Sequence, residues 1–203
     1  AEHFMPAFER GMSLHEAEID AITSNNDEPT FENTILAYDN AGQMLAQTEL
    51  IFGMLCAAET NERMQALQEQ VMPLLSAHRD KIRLDEKLFA RVKDVYDRRA
   101  SLGLDAEQSR LLRKTYDAFV RSGALLDAGQ KARLKEINGE LSLTAVKFGN
   151  NILAENNNFA LELTADDLEG LPSGVRDAAR EKAQAMGKGD KWVFTLHKPS
   201  LIP

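Results

Sequence analysis

Residues 30–56 read TFENTILAYDNAGQMLAQTELIFGMLC. Within them Phe31, Ile35, Tyr38, Gly42, Leu45, Phe52 and Cys56 recur at steps of three and four, the spacing that lines up one face of an α-helix, and only Glu49 interrupts the seam. Pro29 stands just ahead, where a fixed φ and a missing N–H suit the first turn of a helix. The stretch predicts one long helix and sets the fold class as mainly α.

The same period extends in both directions. Phe4, Phe8, Met12, Ile19 and Ile22 predict a helix from Phe4 to about Thr23, stopped by SNNDEP. A third helix from about Asn61 toward Ile82 carries Met64, Leu67, Val71, Leu74 and Leu75, with a bend expected at Pro73. A fourth begins near Asp85 and ends around Gly103. It has Leu88, Val92, Val95 and Leu102 on one side and Arg91, Asp94, Asp97 and Arg98 on the other.

Two further starts are written as capping boxes, Asp105 with Gln108 and Asp127 with Gln130. The first helix carries Leu112, Tyr116 and Phe119 and ends at Ser122-Gly123. The second, expected to be the longer, carries Leu134, Ile137, Leu141, Ala145, Phe148 and Ile152 as a core seam. Beyond the polar ENNN the period changes to two. Phe159, Leu161 and Leu163 read as a half-buried strand, Thr164 to Gly170 as a capped turn, and about Ser173 to Met186 as a short helix closed by GKGD. KWVFTLHK then reads as a second strand with Trp192, Phe194 and Leu196 on one side. The expected architecture is a multi-helix, antiparallel bundle-like domain of about six helices over residues 1–157, followed over 158–203 by a small two-strand α+β appendage.

Composition agrees with a globular chain: 203 residues, 43% hydrophobic, 28% charged and 6% aromatic. A formal charge of −8, with Lys and Arg dispersed among acids, argues against a nucleic-acid partner. No apolar run approaches the length that crosses a bilayer, and the opening AEHFMPAFERGM has no leader pattern. Cys56, the one cysteine, reads as a small buried hydrophobe and points to a reducing, cytoplasmic setting, or a periplasmic one where a leader has been removed.

Chemistry is sparse. A catalytic zinc commonly takes two histidines one turn apart with a glutamate between them; His15-Glu16 opens that way, but Ile19 stands where the second histidine belongs. His15 therefore reads as solvated on a charged face, and His78 as a polar helix residue paired with a nearby carboxylate. His3 and His197 have no spacing that gathers them. Glu16 with Asp20, and Asp94 with Asp97 and Arg98, read as solvated charge, and Gly187 to Asp190 as a helix stop and not a phosphate loop. No catalytic, cofactor-binding or metal-binding residue is assigned.

HFMPAFERGM (3–12) and EIDAITSNNDEPTFENTI (18–35), with PTFENTI the most specific phrase, resemble the opening of zinc oligopeptidases of the thimet oligopeptidase and peptidyl-dipeptidase family. LSAHRDKIRLDEKLFARV (75–92), LDAEQSRLLRKTYDAFVRSGA (104–124), LKEINGELSLTAVKFGNNIL (134–153), LEGLP (168–172) and KWVFTLHKPSLIP (191–203) follow in that family's order. The resemblance implies the N-terminal, non-catalytic part of a peptidase whose HExxH helices come later, with zinc in the parent enzyme and none here. It implies that this part walls a substrate channel and is inactive alone, its partners being the parent's own catalytic domain and oligopeptide substrate. The alternative is a free-standing helical interaction module. An apolar patch around Trp192 and Phe194 is expected where a catalytic domain would pack.

Overall fold

The computed structural model describes residues 2–201; Ile202 and Pro203, on which the last matching phrase ends, lie outside the described residues. The chain is mainly helical and divides into two compact units, residues 1–146 and 147–203.

In the first unit α1 (Phe4–Thr23) packs against α3 (Gln43–Ala58) and α4 (Glu62–Arg83). Two apolar clusters result. Phe8 of α1 meets Leu45 and Phe52 of α3 and Met64, Val71 and Leu75 of α4, with the Phe8 and Phe52 rings edge to face at 5.3 Å. The other cluster joins Ile19 and Ile22 to Phe31, Ile35 and Ile82. It continues through Leu88, Val92 and Val95 of α5 (Glu86–Asp97) to Leu112 and Phe119 of α6 (Ala106–Arg121).

The stretch 30–56 is not one helix. A π-helical turn, Phe31–Leu36, leads into the short α2 (Ala37–Asn40), and the chain then breaks at Ala41-Gly42 before α3. The break is local chemistry. Gly42 has φ +77°, a left-handed conformation costly for any residue with a Cβ, and its N–H donates to Glu18 Oε2 at 2.7 Å. A Cβ there would stand 2.9 Å from the His15 ring, so the glycine is also required for the approach of α1. The apolar period survives the break because both pieces face the core.

Other boundaries follow their caps. Asn61 and Asp85 accept from the N3 amides of α4 and α5, and the boxes at Asp105 and Asp127 are both formed. α5 ends at Asp97, earlier than expected, and turns carry the chain to Gly103 at φ +64°. Pro73 sits inside α4 without ending it. α7 (Ala128–Asn158) runs through the ENNN expected to break it. Its apolar seam is not core: Leu141 and Phe148 are 62% and 66% exposed and Ile137 and Ile152 are exposed too, whereas Lys131 and Val146 are buried. Period alone assigns residues to one face of a helix but does not say whether that face is covered.

The second unit contains the two-stranded antiparallel sheet β1 (Leu161–Leu163) and β2 (Trp192–Phe194), with Glu162 opposite Val193. A capped 3₁₀ turn at Ala165–Leu168 precedes α8 (Ser173–Ala185), and α9 (Lys198–Leu201) follows β2. The Gly187 turn closes α8 as a Schellman motif, Lys188 N–H donating to Ala183 O and Gly187 N–H to Gln184 O. α8 lays Ala179 and Ala183 against β2, and it is Val193 that is fully buried. Trp192 and Phe194 are half-buried, with the Arg180 guanidinium 4.8 Å over the Trp192 ring, while Leu161 opposite Phe194 and Leu196 beyond it stay exposed.

Candidate polar site between the two apolar clusters

α1 and α4 each carry one histidine at a seam position. On α1 the inward residues are Phe8, His15, Ile19 and Ile22; on α4 they are Val71, Leu75, His78 and Ile82. His15 and His78 meet where the two clusters adjoin, with Nε2 of His78 3.1 Å from Nδ1 of His15. His78 is 5% exposed and His15 half-buried. The reading of His15 as solvated is therefore corrected: it fills the helical step between Met12 and Ile19. His78 likewise fills the step between Leu75 and Ile82, and its face leaves Leu74 outside at 44% exposure. Both were legible as gaps in an apolar period filled by imidazole.

Glu16 is the carboxylate partner of His78. Its Oε1 lies 3.4 Å from Nδ1, too long and misaligned for a full hydrogen bond, while Oε2 takes the ammonium of Lys81 at 2.9 Å. Lys81 holds the Glu16 carboxyl below its ordinary range against the opposing effect of burial. Burial lowers the pKa of His15, helped by His78 beside it, and burial also lowers that of His78 against the pull of Glu16. Both rings are neutral at pH 7. With a carboxylate facing Nδ1 of His78, the consistent tautomers place a proton there and another on Nδ1 of His15, which donates to His78 Nε2.

The rings border a cavity of about 350 Å³ that also touches Tyr38, Gly42, Glu49 and Arg79. Carboxylate, imidazole and imidazole in series could orient a base, but covalent catalysis also needs a nucleophile within reach. The hydroxyl on the wall is that of Tyr38, whose pKa burial raises. Cys56 is half-buried in the Phe8 cluster and not fully buried as expected; burial pushes its thiol up, away from thiolate reactivity.

A catalytic zinc does not fit these residues. Among the described residues no three His, Cys, Asp or Glu side chains converge as ligands, and at the one histidine pair Glu16 is already engaged by Lys81. His3 is exposed beside Glu2, and His197 lies exposed after β2 beside a separate cavity of about 330 Å³ under α8.

The charged side of α5 is not merely solvated either. Arg91 donates to Asn25 O at 2.8 Å, Asp27 O at 3.2 Å and Asn33 Oδ1 at 3.1 Å; Arg98 donates to Pro29 O at 2.5 Å and pairs with Glu28 at 2.7 Å and with Asp94. These guanidiniums clamp the loop that enters the π-helical turn, where Thr30 and Asn33 cap each other reciprocally. PTFENTI is thus a structural device: Pro29 and Asn33 are gripped from α5, and Phe31, Thr34 and Ile35 are buried.

The chain is 38% identical over 195 residues to a dipeptidyl carboxypeptidase of Escherichia coli and 36% identical over 197 residues to one of Salmonella typhimurium. Each match takes in 96% of this chain and 29% of the relative. A thimet-like oligopeptidase of Dictyostelium discoideum is 23% identical over 206 residues, with all of this chain and 29% of that protein matched. Along nearly its whole length the chain is thus similar to peptidases of the thimet oligopeptidase family. No family model matches it. The chain spans less than a third of the length of these curated relatives.

Proposed function

We propose that the chain is the N-terminal, non-catalytic part of a zinc-dependent dipeptidyl carboxypeptidase, a peptidase that releases dipeptides from the C-termini of oligopeptides. The observation that carries the reading is the match to two dipeptidyl carboxypeptidases along 96% of the chain. In this reading the zinc ligands and the catalytic glutamate belong to the longer polypeptide, and the helices of residues 1–146 wall the substrate channel. The His15, Glu16, His78 and Lys81 group then has a structural role, fixing α1 on α4 so that the wall keeps its shape.

The test is a chimera in which this chain replaces the matched 29% of the E. coli relative. The chimera should release C-terminal dipeptides from short peptides in the presence of zinc. A folded chimera without such release, beside an active parent, would count against the assignment.

A further inference from the structure

The α3 helix is mostly apolar and carries a single charged residue, Glu49. Its inner side, with Leu45, Thr48 and Phe52, is buried against α1 and α4. Its outer side presents Met44, Leu50, Ile51, Met54 and Leu55, each 40% to 64% exposed. At 100° per residue these five fall within an arc of about 140° whose centre is roughly 130° round from Phe52, and the exposed amides of Gln43 and Gln47 are the polar groups within it. That arc holds no charged residue; the one charge of the helix, Glu49, lies between the faces and is paired with Arg79.

A helix of the same chain shows what a solvent-facing surface looks like here. α6 is also 16 residues long and carries Glu107, Arg110, Arg113, Lys114, Asp117 and Arg121. A helix face that exposes five large apolar side chains and no charge marks a contact. Absence of charge across the whole face is the composition of a permanent interface and not of a transient one.

Its occupant follows from length and charge. The relatives contain this chain within a polypeptide more than three times as long, so over two-thirds of their length lies outside the match. A second copy is disfavoured, because pairing on this face would bring together two chains of formal charge −8. Resting on the proposed function above, we infer that the outer face of α3 is a permanent docking surface for the remaining, catalytic portion of the same peptidase polypeptide, with Leu50, Ile51 and Met54 at its centre.

Thiol labelling tests this. With Cys56→Ser as background, Leu50→Cys or Met54→Cys places a reporter on the face, in the 203-residue chain and in the chimera with the E. coli relative. In the chain alone the thiol should react at close to its rate in urea, independently of protein concentration. In the chimera it should react about tenfold more slowly or less. Equal rates in a folded chimera overturn the inference, as does slowing in the isolated chain that grows with concentration, which would make a second copy the occupant.

Should the chimera not fold, co-expression of the chain with the unmatched portion of the E. coli relative gives the second measurement. The two should co-purify, and Leu50→Glu with Met54→Glu should abolish capture; no capture by the unaltered chain overturns the inference. A protected reporter in a chimera that cleaves no peptide refutes the peptidase assignment and leaves the docking surface standing. Cleavage with an unprotected reporter does the reverse.

Discussion

His15 and His78 face each other as neutral rings between two apolar clusters, and protonating either would place a cation beside its neighbour in a half-dry site. The sign of the resulting pH dependence follows. Each folded-state pKa lies below 6.5, so below about pH 6.5 the unfolded chain takes up protons that the folded chain refuses, and stability falls. The contribution is intact above the unfolded value and declines toward the folded one, by at most about 1.4 kcal/mol per pH unit for each imidazole. Urea midpoints should drop between pH 7.5 and 5.5, and His15→Leu with His78→Leu should flatten that part of the profile. An unchanged slope in the double variant would show that other groups carry it. Gly42→Ala offers a second residue-scale outcome. The left-handed φ and the His15 ring at 2.9 Å together should cost roughly 2 kcal/mol or more, read as a lower midpoint at neutral pH.

Among elements, the π-helical turn Phe31–Leu36 depends most on contacts distant in sequence. Asn33 accepts from Thr30 N–H, the Thr34 hydroxyl and Arg91, and donates to Glu28 O, so one side chain joins the cap, the loop and α5. Asn33→Ala should cost about 2 kcal/mol, a Tm lower by roughly 4–8 °C for a chain of this size. Asn33→Asp, which keeps an acceptor facing Arg91, should recover part of it. α1 was legible end to end because its period and its polar stop agree. The starts of α6 and α7 were legible from their capping boxes, and those of α4 and α5 from the apolar period that follows Asn61 and Asp85. The break at Gly42 was hidden, since the apolar spacing runs through it and the residues that demand it, His15 and Glu18, are more than twenty positions away. The imidazole pair was half legible: a carboxylate partner for His78 was expected from its surroundings, whereas its contact with His15 depends on how α1 crosses α4.

At the scale of the whole molecule, two kinds of apolar residue separate. Phe8, Ile35, Leu88, Val92 and Phe119 have essentially no exposure, and truncating one of them, Phe119→Ala, should cost about 3–5 kcal/mol. Leu50, Met54, Leu141 and Phe148 repeat with equally good helical spacing yet remain exposed. Sequence periodicity could not distinguish them, because it reports that a face is apolar and is silent on what lies opposite. The relatives are more than three times as long as this chain, and in the proposal above the remainder covers the face of Leu50 and Met54. On the proposed reading the chain shapes a cleft and the metal ligands lie elsewhere in the longer polypeptide. The most direct measurement is the release of C-terminal dipeptides from short peptides by the purified 203-residue chain supplied with zinc. The account predicts no release above a protein-free blank; zinc-dependent dipeptide release by the chain alone would contradict it.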